Sequence, residues 1–301
     1  MAKYYLFSLV CVLSLFSCRS KNRHPRLPRN FETSTATPQL QPKDVYLIEI
    51  TTEFGVMRAK LFNETPKHRD NMVKLIDSGF FEGLLFHRVI KNFVIQGGDP
   101  DSKTANEGKL LGDGGNGYTL PAEFKPQIIF HKKGALAAAR DGDDVNPLKE
   151  SSGCQFYIVQ GKIHDDASLE KNERRINRDL IKRISDSILA LPENKNLRTT
   201  FERVKINARR TDSLSLLQEK IDSLVNPVYS QSSHYRIPEY ERNVYKKIGG
   251  TPHLDSHYTV FGDVYEGLDV LDRIIMSETD ANDRPKKDVK MSIRILQRPI
   301  K

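Results

Sequence analysis

The sequence predicts a mainly β domain interrupted by a charged α-helical segment, and two patterns carry that reading. Short runs of β-branched and aromatic residues, Phe86 to Ile95 above all, stop at glycines, here Gly97-Gly98, as strands do. Between residues 165 and 250 apolar residues instead recur at spacings of three and four among charges of both signs, which is the period of helices.

At the start of the chain Lys3 precedes an apolar stretch, Tyr4 to Phe16. It has about the length of a signal-peptide core and falls short of the roughly 20 residues that span a bilayer. The stretch runs into Leu15-Phe16-Ser17-Cys18, which resembles a bacterial lipobox. There the cysteine is diacylated, the preceding peptide is removed and the new amino group is acylated. An ordinary secretory signal with a cysteine nearby would share the apolar core. The lipobox reading makes residues 1–17 a lipoprotein signal peptide and Cys18 a lipid anchor in a membrane. Arg19 follows, with no aspartate retention signal, so the expected address is the bacterial cell envelope, on an outer membrane facing the periplasm. Residues 18–43, rich in proline and polar side chains, read as a flexible tether. With Cys11 and Cys18 used at that end, Cys154 is left alone and no internal disulfide is expected.

The run from Phe86 to Asp99, FHRVIKNFVIQGGD, sets Arg88 among apolar residues beside Gln96 and a glycine pair. Taken by itself, Arg88 could be a surface arginine that snorkels to water. The run nevertheless resembles the signature of the cyclophilin family of peptidyl-prolyl cis-trans isomerases. Further matches follow in that family's order: Gly112-Asp113-Gly114-Gly115 with Ala122-Glu123-Phe124, then Gly134 to Ala139, Gly153 to Ile158, and Leu254 to Gly262. The resemblance implies a closed eight-stranded antiparallel β-barrel capped by helices, with Pro66 opening the first cap. It also implies isomerisation of X-Pro bonds in proline-containing polypeptides.

Carried over position by position, the resemblance makes Arg88 the catalytic residue. Phe93, Val94, Tyr157 and Leu254 would line an apolar pocket. Gln96 and Gln155 match two glutamines that contact the substrate backbone and arrange the arginine, and Ala139 and Arg140 match a main-chain contact segment. Val94, Tyr157 and Arg140 stand where methionine, phenylalanine and asparagine are usual in animal-type members. Tyr258 takes a histidine's place, keeping an aromatic wall and a polar tip, and His253 takes a tryptophan's place. No metal or organic cofactor is implied, and no nucleophile constellation is evident. His253 and His257 are four apart, but Gly249-Gly250-Thr251-Pro252 marks a loop and not a metal-binding helix.

These matches divide into residues 44–164 and 251–301, and an insertion, 165–250, separates them. One helical stripe runs through Ile176, Leu180, Ile184, Ile188 and Leu191 to Pro192. A second runs through Leu197, Phe201, Val204, Ala208, Leu214, Leu217, Ile221 and Leu224 to a stop at Asn226-Pro227. The two could pack as an antiparallel helical hairpin, with a third short helix near Pro238 to Ile248. The hairpin reads either as a solvated excursion or as an arm for an unknown protein partner. In the latter case the chain could be a non-catalytic peptide-binding or chaperone module. The formal net charge of +8 is spread along the chain, so nucleic-acid binding is not expected.

Overall fold

The computed structural model describes residues 44–206 and 211–300, so the signal-like segment, Cys18, the tether and Ala208 lie outside the described residues. The first element is a hairpin of β1 (Tyr46–Thr52) and β2 (Gly55–Leu61), paired from Tyr46↔Leu61 to Thr52↔Gly55. Alternation decides its faces. Ile48, Ile50, Met57, Ala59 and Leu61 enter the core, while Arg58 and Lys60 point the other way. Helix α1 (Pro66–Asp77) opens on proline, whose missing N–H is not needed at that position, and lays Met72, Val73, Leu75 and Ile76 against the sheet.

The run that sequence reasoning treats as one strand is two. β3 (Arg88–Ile90) and β4 (Val94–Gly97) form a hairpin around Asn92, which adopts φ 61°, a left-handed conformation that asparagine tolerates better than most residues. After β5 (Thr119–Leu120) come β6 (Ala135–Ala138), β7 (Ser151–Ser152) and β8 (Phe156–Val159), with β5 and β7 paired in a small ladder of their own.

Five helices follow: α2 (Asp166–Ile176), α3 (Arg178–Ala190), α4 (Lys195–Ile206), α5 (Thr211–Gln231) and α6 (Glu239–Lys247). The chain then makes a single 3-10 turn, Pro252–Leu254, and continues into β9 (Val260–Glu266), α7 (Leu268–Ile275) and β10 (Ser292–Gln297).

Eight strands form one antiparallel sheet in the order β10-β1-β2-β9-β6-β8-β4-β3. It curls around the core but is not the closed barrel expected from the sequence. β3 has only three residues and shares no ladder with β10. The gap is crossed before those strands begin, through Phe86 N–H to Val289 O, Met291 N–H to Leu84 O and the lone bridge Leu85↔Lys290.

The two helical stripes do meet, with Leu180, Ile184 and Ile188 packed near Leu197, Phe201, Ile221 and Val225. They are carried by more helices than a hairpin has, however. Asn177 separates α2 from α3, its amide donating to the carbonyls of Glu173 and Tyr235, and Ile176 therefore belongs to α2. Pro227 does not stop α5. It sits inside the helix on the exposed face, where water can serve the carbonyl left without a donor. The third helix is α6, as expected.

α2 and α6 are tied together by Arg242 to Glu173 at 2.8 Å and Lys246 to Asp166 at 2.8 Å, and they share a second apolar cluster of Phe130, Leu169, Ile237 and Tyr245. The insertion enters and leaves through adjacent backbone. Gly250 N–H donates to Lys162 O at 3.0 Å, and Lys162 N–H returns the bond at 3.2 Å. Gly250 has φ +154°, and a side chain there would run into the His131 carbonyl, so only glycine fits.

Glu241 of α6 is fully buried and accepts from the Tyr240 hydroxyl at 2.8 Å. Burial, reinforced by the charge of Asp255, raises its carboxyl to about 8. The folded chain thus keeps a proton that the unfolded chain releases above its ordinary value of 4.5. This stabilises the fold below about pH 4.5, and the contribution is lost as pH rises towards 8. We expect the parent to lose stability relative to Glu241→Gln between about pH 5 and 8, by up to about 1.4 kcal/mol per pH unit. Urea unfolding of both proteins across that range checks this, and parallel curves would sink it.

Candidate active site

Register builds the site. Arg88 faces Gln96 across β3–β4, Gln96 faces Tyr157 across β4–β8, and Tyr157 faces Ala137 across β8–β6. Directly opposed residues share a face, so these four form one row on the outer side of the sheet. The neighbouring row, Val89, Ile95, Ile158 and Leu136, faces the core. The outer face is itself apolar beside this row. Val94, Val159, Ala135 and Val260 cluster there with Tyr157, and Leu254 packs over them.

The result is a cleft of about 100 Å³. Its lining brings together Arg88, Phe93, Val94, Gln96, Ala139, Arg140, Tyr157, Leu254 and Tyr258, all of them residues singled out in the sequence. Gln155, the remaining one, stands one hydrogen bond behind the wall.

That bond belongs to a directed chain. The Gln155 amide nitrogen donates to the carbonyls of Gly112 and Gly114, at 2.7 Å each, so its oxygen must face the other way. It accepts from Gln96 Nε2 at 3.0 Å, which turns Gln96 Oε1 towards Arg88 Nη1 at 3.2 Å. Two backbone carbonyls therefore fix the orientation of both amides and one side of the guanidinium. Their loop is pinned in turn by Asp99, whose buried carboxylate accepts from Gly112 N–H at 2.6 Å and Asp101 N–H at 2.8 Å. The guanidinium is otherwise partly open to water, with Asp283 at 3.8 Å from its Nε.

Arg140 contributes more than main chain. Its side chain is buried, donating from Nε to His257 O at 2.8 Å, pairing with Asp143 at 2.7 Å and lying 4.5 Å over the Tyr258 ring. It thereby fixes the Tyr258 wall. The main chain of Ala139 is already engaged, its N–H with Gln155 O and its carbonyl with Ser152 N–H.

Sequence reasoning missed the support beneath Tyr157. Its hydroxyl lies 2.9 Å from His131 Nε2, His131 Nδ1 lies 2.8 Å from Asp255, and the Tyr245 hydroxyl donates to Asp255 at 2.7 Å. Burial holds the Tyr157 phenol far above its usual value, so it stays protonated. The Tyr157 hydroxyl, the His131 ring and the Asp255 carboxyl thus form one buried hydrogen-bonded chain, with the roles of the two ring nitrogens set by the tautomer. Only the tyrosine in place of phenylalanine hinted at this network. His253 stacks on Phe93 with ring centroids 5.8 Å apart, and burial followed by the charge of Arg175 pushes its imidazole down to about 3. No group of acidic, histidine or cysteine side chains suited to a metal occurs among the described residues. Cys154 is buried and free.

An apolar groove with an oriented arginine at its rim is the site of a peptide-binding β protein. The family model described as Cyclophilin type peptidyl-prolyl cis-trans isomerase/CLD matches residues 47–173 and 230–294, and the chain belongs to that family of isomerases. The unmatched stretch, 174–229, spans α3, α4 and nearly all of α5.

Relatives from Staphylococcus epidermidis and Staphylococcus aureus, named for peptidyl-prolyl cis-trans isomerase activity, are 27% and 29% identical. They cover 83% and 84% of this chain and 91% and 93% of their own lengths. A Streptococcus pyogenes protein named for both phosphatase and isomerase activities is 26% identical over 80% of this chain, which spans 37% of that longer protein. A crystal structure of a Cryptosporidium parvum cyclophilin type isomerase aligns with TM-score 0.47 and 18% identity, covering 85% of this chain and 99% of that one.

Tyr157→Phe removes the hydrogen-bond partner of a buried imidazole nitrogen. We expect it to lower stability by about 1–3 kcal/mol in urea unfolding. An unchanged midpoint would mean that the bond to His131 contributes nothing.

Proposed function

We propose that this pocket isomerises X-Pro bonds in polypeptides outside the cytoplasm, assisting their folding, with Arg88 weakening the amide resonance that opposes rotation. The observation that carries this reading is the Arg88 guanidinium at the rim of an apolar cleft, oriented on one side by Gln96. Rotation about a peptide bond meets a barrier of about 18–20 kcal/mol because the nitrogen lone pair is delocalised into the carbonyl. As the bond twists, the nitrogen pyramidalises and its lone pair becomes an acceptor. A guanidinium N–H beside it then bonds the twisted state and not the planar one.

Going from tens of seconds to milliseconds takes about four powers of ten, or roughly 5–6 kcal/mol. One charge-assisted hydrogen bond supplies about 1.5–3 kcal/mol. We assign the rest to the walls. Phe93, Val94, Tyr157 and Leu254 hold the proline ring away from water, Tyr258 closes the side, and Gln96 with the Arg140 main chain steadies the flanking peptide, Ala139 only positioning that segment. Gln155 acts through Gln96. No proton moves and no bond to the protein forms, so no cofactor is called for.

The address rests on the Lys3-to-Cys18 pattern. In this reading Cys18 carries acyl chains, each buried methylene contributing about 0.8 kcal/mol of membrane attachment, and residues 19–43 tether the domain to the envelope.

Two outcomes check these assignments. Arg88→Ala should lower kcat/KM on a prolyl peptide about 10- to 150-fold with circular dichroism unchanged, and full activity in that variant would remove Arg88 from the mechanism. In a bacterial host fed radiolabelled palmitate, the full chain should take up label and Cys18→Ser should not. Equal labelling of both, or of neither, would refute the anchor.

A further inference from the structure

On the far side of the stacked Phe93 and His253 rings lies a second cleft of about 460 Å³, between α2 and the returning strap Gly250–His253. Its lining carries three cations, Lys162, Lys171 and Arg175, and no carboxylate. Lys171 and Arg175 are one turn apart on the same face of α2, a spacing at which like charges repel. Of the three acidic residues of that helix, Asp166 is committed to Lys246 and Arg242 and Glu173 to Arg242, while Glu170 lines a different cleft. Among the described residues no salt bridge or side-chain hydrogen bond uses Lys162, Lys171 or Arg175. Thr251 also lines the cleft, but its hydroxyl is shielded from solvent.

We propose that this cleft binds acidic side chains of the client polypeptide a few residues from the isomerised proline, so that the insertion selects substrates. Carboxylates suit the site as counter-ions for its three cations. The cleft lies beside the groove, with the stacked Phe93 and His253 rings between them. His253 belongs to it and stacks on Phe93 of the proline pocket at 5.8 Å, and an extended chain advancing about 3.3 Å per residue reaches it within about two to four residues. His253 adds no charge of its own, since burial and the nearby Arg175 guanidinium keep it neutral.

This inference rests on the isomerase reading, and the experiment separates the two. The full chain is assayed on peptides that share one Xaa-Pro core and carry either two glutamates or two glutamines, placed two to four residues before or after the proline. With the extension on one of the two sides, the glutamate peptide should show about tenfold higher kcat/KM at low salt, falling to within about twofold at 0.5 M salt as screening sets in. In the double variant Lys171→Gln/Arg175→Gln that preference should vanish while turnover of the glutamine peptides stays at the parent's value. Equal kcat/KM for glutamate and glutamine peptides in the parent overturns the proposal, as does a preference that survives in the double variant. If no peptide is turned over, the isomerase reading fails. Fluorescence titration with the same labelled peptides then decides the cleft by whether the parent alone binds the glutamate form more tightly. Vesicles of phosphatidylglycerol that bind the parent but not the double variant, with no difference between peptides, would assign the cleft to a membrane and end the peptide proposal.

Discussion

A carboxylate removed from water must find donors, and Asp255 has three such contacts from two distant parts of the chain. The backbone and ring of His131 come from the loop before β6, and the Tyr245 hydroxyl comes from α6 in the insertion. Asp255 itself follows Leu254 of the proline pocket, and His131 passes the constraint to Tyr157 in the pocket wall. An unpaired buried charge is costly, so these groups are held to one arrangement. The pocket, the β6 loop and the helical insertion are therefore parts of one polar knot.

Against that support, the Arg88 side of the pocket is built by register. Each antiparallel pairing places the next site residue on the outer face, and the Gly112–Gly114 carbonyls set the direction in which both glutamine amides point. Asp99 and Asp255 serve parallel ends, one fixing the loop behind the Gln155–Gln96–Arg88 hydrogen bonds and the other the support beneath Tyr157.

The pocket residues were legible in the sequence because they fall in a continuous motif and a few short matches, and a local signature survives a long insertion elsewhere. What could not be read was whatever depends on distant partners. His131 and Asp255 carry no pattern of their own, and the second is separated from the first by five helices. The open sheet was missed because the short β3 edge is met by irregular segments, a matter of tertiary geometry rather than of residue type. The division of one stripe into α2 and α3 escaped notice because Asn177 is not a strong helix breaker, and its role as a corner comes from Tyr235, far along the chain. Pro227 misled in the opposite direction. A proline on the wet face of a helix loses one hydrogen bond that solvent can replace, so its presence was weaker punctuation than it looked.

The paired hydrogen bonds between Lys162 and Gly250 put the entry and exit of the insertion a single backbone bond apart. To the sheet, everything between those residues is a loop whose ends are already joined. The entropy of closing a loop grows only with the logarithm of its length, so helices at this place can be added, lengthened or exchanged at small cost to the strands on either side. The junction thus behaves as a graft point where the surface beside the groove can change over evolutionary time while the groove itself stays the same.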